Sequence, residues 1–358
     1  PLAHNLVVVD KKPQDNRRIA RPELFAGKSR IPAMRFNAPD CYPGVTKEYS
    51  RMMFAVPLSG KRQYLVDFFR VKGGSTHLWT FHADGKAFKA PDSLHVTQAS
   101  KEEIGTGRLG SEWLNHLRKS ENSAGTRTFI WQYDSVLTTA LHFLTDTPVT
   151  FFLAGAPGLR DQSSPYKKVE LNLLFAQKRG PDSTFVSIIE NSRGKPEIRN
   201  AVLLKTSGHK ASAAKVTTDS GTDLFLFAEP GGGKVFLPDY PEFTMTNRSG
   251  IVRLDPQGKV KYLWSELRFG NSVLKGTPPV TGRIKTIKGH RLFTNLRDTP
   301  AEIADNYLHA ADHYDGLYRL SKAEKESGEV VLHLDSSEVI RLNPNDMFEI
   351  HTCQEKDF

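Results

Sequence analysis

The chain has 358 residues, of which 38% are hydrophobic and 10% aromatic, so it can bury a sizeable core and is not expected to be disordered. No apolar run approaches the roughly 18 residues that a membrane-spanning helix needs, so the sequence predicts no membrane span. The formal net charge is +9, from 49 basic and 40 acidic residues, which favours acidic partners such as polyanionic sugars or nucleic acid.

The charge is unevenly distributed along the chain. Pro1–Phe36 holds eight Lys or Arg against three Asp or Glu, and Ser321–Phe358 holds four against nine. The amino-terminal stretch is therefore strongly basic, which favours binding of an acidic partner there. The alternative is that it is a solvated face with no ligand. None of the familiar basic and aromatic motifs of nucleic-acid binding occurs, so we expect no nucleic-acid partner.

The first predicted element is a strand within Ala3–Asp10, a run rich in valine. Such a run needs sheet partners, and neither a Met nor a secretion signal precedes it. We therefore expect the chain to be the carboxy-terminal piece of a longer protein. His4 stands just ahead of this strand, where a ring nitrogen could meet a metal or a sugar, and the alternative is a packing histidine.

Alternating apolar and polar residues dominate the rest of the chain. Tyr49–Pro57 and Arg62–Arg70 are joined by four turn residues and predict an antiparallel hairpin. Further strands are predicted at Thr76–His82, Thr128–Tyr133, Thr138–Leu144, Val149–Ala154, Ser183–Glu190, Ala201–Lys205, Asp223–Ala228, Ile251–Leu254, Lys261–Leu267, Glu329–Asp335 and Glu338–Leu342. The pattern predicts an all-β fold, a sandwich of large antiparallel sheets, over residues 1–358. A sub-boundary is predicted near residues 155–164, where glycine, proline and polar residues interrupt the strand series.

Only two stretches have a helical pattern. Ser111–Lys119 begins with a residue that can cap a helix, and Pro300–His309 begins with a proline at the first helical position. His309, at the end of the second stretch, and His313 have the four-residue spacing of two metal ligands on one helical face, although a solvated helix end is the favoured interpretation.

His77 and His82 lie five residues apart in one predicted strand, so they face opposite sides of its sheet. They cannot bind one metal ion together from a regular strand, and a structural role is favoured for each. The two cysteines, Cys41 and Cys353, have no metal-binding spacing. One disulfide between them and two unpaired thiols are equally compatible with the sequence.

Three segments resemble the heparinase II/III family of polysaccharide lyases. His4–Asp10 followed by Gln14 is similar to a His-Asn-Thr-Val-Val-Val-Asp-Gly segment that ends in a glutamine. Val66–Gly74, followed by His77, Trp79 and His82, looks like the sheet motif of the family. Ser183–Glu190, followed by Gly194, Lys195 and Pro196, is similar to another recurring stretch. The chain departs from the family where Leu6 replaces Thr, Lys11 replaces Gly and Leu78 replaces Asp.

The resemblance implies an antiparallel β-sandwich that follows an α/α toroid, the toroid being absent from this chain. It implies a lyase that cleaves uronic-acid polysaccharides by β-elimination in the periplasm or outside the cell. It also implies that His4 is a zinc ligand completed by upstream residues, so we expect this chain alone to be inactive. With the charge pattern, it predicts that acidic polysaccharide binds near Lys11, Arg17, Arg18 and Arg21. The alternative is a noncatalytic carbohydrate-binding or scaffold sandwich.

Overall fold

A computed structural model describes residues 2, 4–15, 20–27, 29–60, 62–83, 85, 87–122, 124–157, 170–275, 279–300, 306–310, 317–335, 341–350 and 354–358. No helix within these ranges is long and apolar enough to cross a membrane.

Fourteen strands form the first sandwich. They are β1 (Val7–Val9), β2 (Arg21–Ala26), β3 (Ala33–Asn37), β4 (Glu48–Pro57), β5 (Gln63–Lys72), β6 (Thr76–His82), β7 (Ala87–Lys89), β8 (Thr97–Gln98), β9 (Asn115–Asn122), β10 (Gly125–Gln132), β11 (Leu137–Thr145), β12 (Val149–Pro157), β13 (Glu170–Arg179) and β14 (Asp182–Arg193). Short helical turns lie at Pro39–Cys41, Lys101–Ile104 and Ser111–Trp113.

These strands make two antiparallel sheets. Sheet A has the order β1-β6-β13-β12-β9-β8, and sheet B has the order β2-β3-β4-β5-β14-β11-β10-β7. Aromatic side chains fill the space between them, with the Trp79 and Phe81 rings of sheet A 5.4 Å from Phe143 and 5.2 Å from Trp131 of sheet B. The predicted amino-terminal strand and the β4–β5 hairpin are both confirmed.

A second pair of sheets follows along the chain. Its strands are β15 (Ile198–Leu204), β16 (Ser207–Gly208), β17 (Ala211–Thr218), β18 (Gly221–Ala228), β19 (Val235–Leu237), β20 (Tyr240–Met245), β21 (Ser249–Leu254), β22 (Val260–Trp264), β23 (Leu267–Phe269) and β24 (Ser272–Leu274). Sheet C has the order β15-β17-β18-β21-β22-β31, where β31 is Glu355–Asp357, and sheet D has the order β16-β19-β20-β23-β24.

Sheet B is covered on both faces, which stacks the four sheets in the order A, B, C and D. On the face away from sheet A, Phe54 and Phe68 of sheet B pack against Phe225, Phe227 and other residues of sheet C. A separate apolar cluster joins sheets C and D. The central strands β4, β5 and β14 of sheet B are therefore largely buried along their length, because both of their faces are covered.

The remaining strands form a closed antiparallel barrel. They are β25 (Val280–Lys288), β26 (Arg291–Thr294), β27 (Tyr307–Ala310), β28 (Leu317–Glu326), β29 (Glu329–Leu334) and β30 (Met347–Ile350), in the order β25-β26-β29-β28-β27-β30. The barrel has its own buried core. The expected all-β antiparallel class is confirmed, and the stack of sheets with an appended barrel is the specific form that it takes.

Both helix predictions are wrong where the structure describes them. After the turn at Ser111–Trp113, the chain enters β9, because its backbone pairs with β12. Within Pro300–His309, residues 301–305 lie outside the described residues, and the end of the stretch is β27, which pairs with β28 and β30. Short apolar spacings fit a helix or a strand equally well, and sheet pairing decides between them.

Two other predictions fall on residues only partly described. The sub-boundary near residues 155–164 follows β12, whose neighbour β13 begins at Glu170 in the same sheet, and residues 158–169 lie outside the described residues. The boundary stays a prediction. Residues 338–340 of the strand predicted at Glu338–Leu342 also lie outside them, and Arg341 and Leu342 belong to no strand.

The acid sensitivity of the fold should depend on His142 in β11. Its Nδ1 lies 2.9 Å from Thr128 Oγ1, and burial lowers the pKa of His142 from 6.5 to about 4. Between these pH values the unfolded chain binds a proton that the folded chain does not, so stability falls as the pH drops through this window. We expect His142→Gln to remove about 1 to 3 kcal/mol of that loss, measured by urea unfolding at neutral pH and at the lower end of the window. Equal losses in parent and variant would contradict this.

Candidate functional site

The segment before β1 holds the histidine that the sequence singled out. The backbone of this segment is fixed to β6: the Thr80 hydroxyl donates to the His4 carbonyl, and the Thr80 amide donates to the Leu6 carbonyl at 2.8 Å. The imidazole of His4 is exposed. His4 is therefore presented to solvent from an anchored backbone at the edge of sheet A.

Asn5 is anchored from both sheets. Its Oδ1 accepts a hydrogen bond from the His82 amide at 3.0 Å, and its carbonyl accepts one from Arg51 Nη1 at 2.9 Å. Arg51 in turn donates twice to Asp67, at 2.9 Å each, and Asp67 is only 1% exposed. Burial would lower the pKa of Arg51, but the Asp67 carboxylate outweighs it and raises the pKa. This ion pair ties the His4 segment to sheet B.

Two further contacts hold β1 in place. Tyr49 donates its hydroxyl proton to the Val7 carbonyl at 2.6 Å and accepts a hydrogen bond from Gln14 Nε2 at 2.9 Å. Asp10 accepts hydrogen bonds from the amides of Ser75 and Thr76 at 2.7 and 3.0 Å. Burial would raise the pKa of Asp10, but these hydrogen bonds lower it. Asp10 therefore fixes the end of β1 to the start of β6.

The family resemblance predicts a zinc ion with His4 as one of its ligands. In the described part of the chain, no group of three or more His, Cys, Asp or Glu side chains is placed to hold a metal ion. The described residues therefore do not make a zinc site by themselves. His4 as a ligand stays a prediction that depends on groups outside them.

The four basic residues predicted to bind substrate are only partly described. Lys11 is exposed at a left-handed turn (φ 55°), and its Nζ donates to the Glu102 carbonyl at 2.7 Å. Arg21 is exposed at the start of β2, the edge strand of sheet B. Arg17 and Arg18 lie outside the described residues. Within the described ranges, the Lys11 ammonium makes this one hydrogen bond, so its other two protons are available to a ligand.

Among the other candidate histidines and cysteines, His77 has the contacts of a structural residue. His77 is fully buried, with its ring nitrogens 2.8 Å from Ser183 Oγ and 2.8 Å from the Gly73 carbonyl, and burial lowers its pKa. His309 lies in β27 rather than on a helix, and His313 lies outside the described residues. Cys41 forms no disulfide with the described residues, which do not include Cys353. Burial raises the pKa of its thiol.

The structure also contains a cleft that the sequence analysis missed. It lies at one end of sheet A and has a volume of about 500 Å³. Six side chains of mixed chemistry line it, together with small and apolar residues of β12. They are Phe88, Gln98, His116, Arg118, Glu170 and Asn172. We call this the sheet A cleft.

A β-bulge shapes one wall of the sheet A cleft. The register between β9 and β12 shifts between Leu153 and Gly155, so β9 carries one extra residue at this point. His116 lies there with a left-handed backbone (φ 52°), which costs a residue with a Cβ about 1 to 2 kcal/mol. Backbone strain of this kind is concentrated at functional sites. The bulge lies near the start of β9 and changes the direction of the His116 side chain.

The opposite wall depends on a glycine. A Cβ at Gly155 would overlap the Glu170 carboxylate, so only glycine lets that side chain lie across β12. Behind this wall, Trp131 Nε1 donates to the Asn172 carbonyl at 2.9 Å, and the Phe88 ring packs against Trp131 at a tilt of 53°, with ring centroids 4.9 Å apart. The cleft therefore combines a cation, an imidazole, a carboxylate and amides over an aromatic base. These are groups that bind sugars through hydroxyls and acidic substituents.

The sequence carries little signal for this cleft. Its lining residues come from five strands, β7, β8, β9, β12 and β13, and extend from Phe88 to Asn172 along the chain. The apolar spacing of Ser111–Lys119 predicted a helix, whereas residues from Asn115 onward form β9. His116 and Arg118 were therefore not predicted to line the same site.

No protein-family model matches the sequence, and no curated protein matches it. A solved structure to which the chain is similar is a mutant of heparan sulfate lyase HepC from Pedobacter heparinus, with a TM-score of 0.37 and 12% identity. The likeness covers 64% of this chain and 30% of the lyase chain, so it spans less than a third of that protein. A likeness of this degree does not establish a shared activity.

Proposed function

We propose that this chain is the carboxy-terminal β-sandwich portion of a polysaccharide lyase that cleaves uronic-acid-containing polysaccharide by β-elimination in the periplasm or outside the cell. The observation that carries the proposal is the His4 segment. It has the sequence that resembles the lyase family, and its anchored backbone presents an exposed imidazole at a sheet edge. Two exposed cations, Lys11 beyond the far end of β1 and Arg21 at the start of β2, suit an acidic polymer.

Elimination makes three demands on the protein. The carboxylate of the uronate must be neutralised, the C5 proton must be taken by a base, and the departing glycosidic oxygen must be protonated. Lys11 and Arg21 supply positive charge near the amino terminus. We propose that His4 is one ligand of a zinc ion whose other ligands lie outside the described residues. The base and the acid are likewise assigned to that part of the protein.

The test uses the whole gene product. We expect it to release unsaturated uronates from an acidic polysaccharide, detected by their ultraviolet absorbance, and to contain zinc by elemental analysis. His4→Ala should lower both the zinc content and the rate by at least about 10-fold, because loss of a direct ligand exceeds loss of an outer-shell partner. His290→Ala, in the turn between β25 and β26, is the control and should change neither. Full zinc occupancy in His4→Ala would remove His4 from the proposed site.

One observation favours a noncatalytic carbohydrate-binding or scaffold sandwich as the second candidate. Leu78 replaces the family's aspartate, and it is 2% exposed within the apolar cluster on the outer face of sheet A. It therefore cannot contribute a carboxylate. If the whole gene product binds alginate and heparan sulfate but forms no unsaturated uronate from any uronate polymer, the lyase proposal is wrong and the second candidate holds.

A further inference from the structure

The His4 segment and the sheet A cleft lie at the same end of sheet A. The His4 segment is bonded to the end of β6, where His82 pairs with Leu173 of β13. Leu173 pairs with Ala154 of β12, which lies at the bulge that carries His116. Four strand-to-strand steps therefore separate the two places, about 19 Å in all. An extended acidic polymer of several sugar residues is long enough to reach from one place to the other.

The charged side chains in the sheet A cleft have no protein partner. In the part of the chain that the structure describes, neither a hydrogen bond nor an ion pair joins the side chains of His116, Arg118 or Glu170 to another residue. Most other arginines that border the sheets are paired, as Arg51 is with Asp67 and Arg253 with Asp223. An unpaired guanidinium beside an imidazole and a carboxylate, at the mouth of a cleft, is available to a ligand.

The strained backbone at His116 gives an independent reason to expect a role for its imidazole. Glycine would occupy this bulge position without strain, yet the chain has a histidine there, lining the cleft. Trp113, which is 65% exposed, stands only three residues earlier. Exposed aromatic rings are suited to stacking on the apolar face of a sugar.

We propose that the sheet A cleft is a subsite for one uronate residue of the same polysaccharide that passes His4. The Arg118 guanidinium pairs with the sugar carboxylate, and the His116 imidazole donates to the same group or to a neighbouring hydroxyl. Glu170 and Gln98 bind hydroxyl groups. This assignment rests on the proposed function for the identity of the polymer, but the subsite is a binding site and takes no part in bond cleavage.

Binding by oligosaccharides of defined length tests the subsite. The probes are di- and octasaccharides of alginate and of heparan sulfate, with cello-octaose as the neutral comparison, titrated into the 358-residue chain by calorimetry. We expect the acidic octasaccharide to bind at least 10-fold more tightly than the disaccharide, because the disaccharide is too short to span both places. Cello-octaose should bind much more weakly. Equal affinity for the two lengths would overturn the proposal.

Substitutions at Arg118 identify the cleft as the cause. Arg118→Ala should weaken octasaccharide binding about 10-fold, and Arg118→Lys should be intermediate, because an ammonium cannot pair with both carboxylate oxygens. Arg179→Ala is the matched control: it removes an exposed arginine at the opposite end of β13. Parental affinity in Arg118→Ala would overturn the subsite. Cleavage assays on the whole gene product report on the proposed function separately, so the failure of one is distinguishable from the failure of the other.

His116→Gly separates a binding role from a structural one. Glycine relieves the left-handed strain, so the variant should melt no lower than the parent. Octasaccharide binding should nevertheless weaken at least threefold, because the imidazole is lost. A lower melting temperature with unchanged binding would show that His116 is structural and would overturn its part in the subsite.

Discussion

Asp223→Ala is expected to lower the free energy of unfolding by about 3 to 5 kcal/mol, the cost of leaving a buried charge without its partner. Asp223 is 3% exposed between sheets B and C. It accepts hydrogen bonds from Arg253 Nε at 2.8 Å and from the Tyr64 hydroxyl at 2.6 Å. Burial and the Asp223 carboxylate both raise the pKa of Tyr64 well above its usual value, so the hydroxyl stays protonated and donates. Removal of the carboxylate leaves the Tyr64 hydroxyl buried without its acceptor, and it leaves Arg253, which still donates to the Pro57 carbonyl at 3.1 Å, without its counter-charge.

Urea unfolding followed by tryptophan fluorescence measures this effect. Asp223→Asn should cost less, because an amide oxygen still accepts one hydrogen bond. Asp219→Ala is the matched control, since it breaks an exposed pair with Arg199 in the same sheet and should change stability little. Similar losses in Asp223→Ala and Asp219→Ala would contradict the view that this network joins the two sandwiches.

Asp67→Ala is expected to lower stability by about 3 kcal/mol and to loosen the His4 segment as well. The carboxylate of Asp67 holds Arg51, and Arg51 holds the Asn5 carbonyl. Without Asp67, the guanidinium loses two charge-assisted hydrogen bonds in a largely buried place. The constraint on the segment that presents His4 is then weakened.

Hydrogen exchange distinguishes the local effect from the global one. The exchange is measured without urea, at a pH where the variant remains folded. The amides of Leu6 and Val7 should exchange faster than in the parent, while the exchange rates of amides in the barrel should not change. Asp67→Asn should have a smaller effect on both measurements. Unchanged protection at Leu6 and Val7 would show that Arg51 does not anchor the segment through Asp67.

The sequence by itself determined which segments are strands over most of the chain. The alternation in Tyr49–Pro57 and Thr76–His82 predicted β4 and β6 closely, because one face of a strand must be apolar when it covers a core. It also indicated a structural His77, since side chains five residues apart cannot meet across one strand. The presentation of His4 at a strand edge followed from its place just before a valine run.

Only the tertiary structure decided how the sheets stack and where the charged residues of the sheet A cleft come together. Local spacing predicted a helix over Ser111–Lys119, but pairing with β12 makes its second half a strand, because an unpaired edge of β12 would leave backbone groups unsatisfied. That pairing, with one extra residue at the bulge, directs the His116 side chain toward the sheet A cleft. Gly155 and Glu170 lie on different strands, so the space that one leaves for the other exists only after β12 and β13 are side by side.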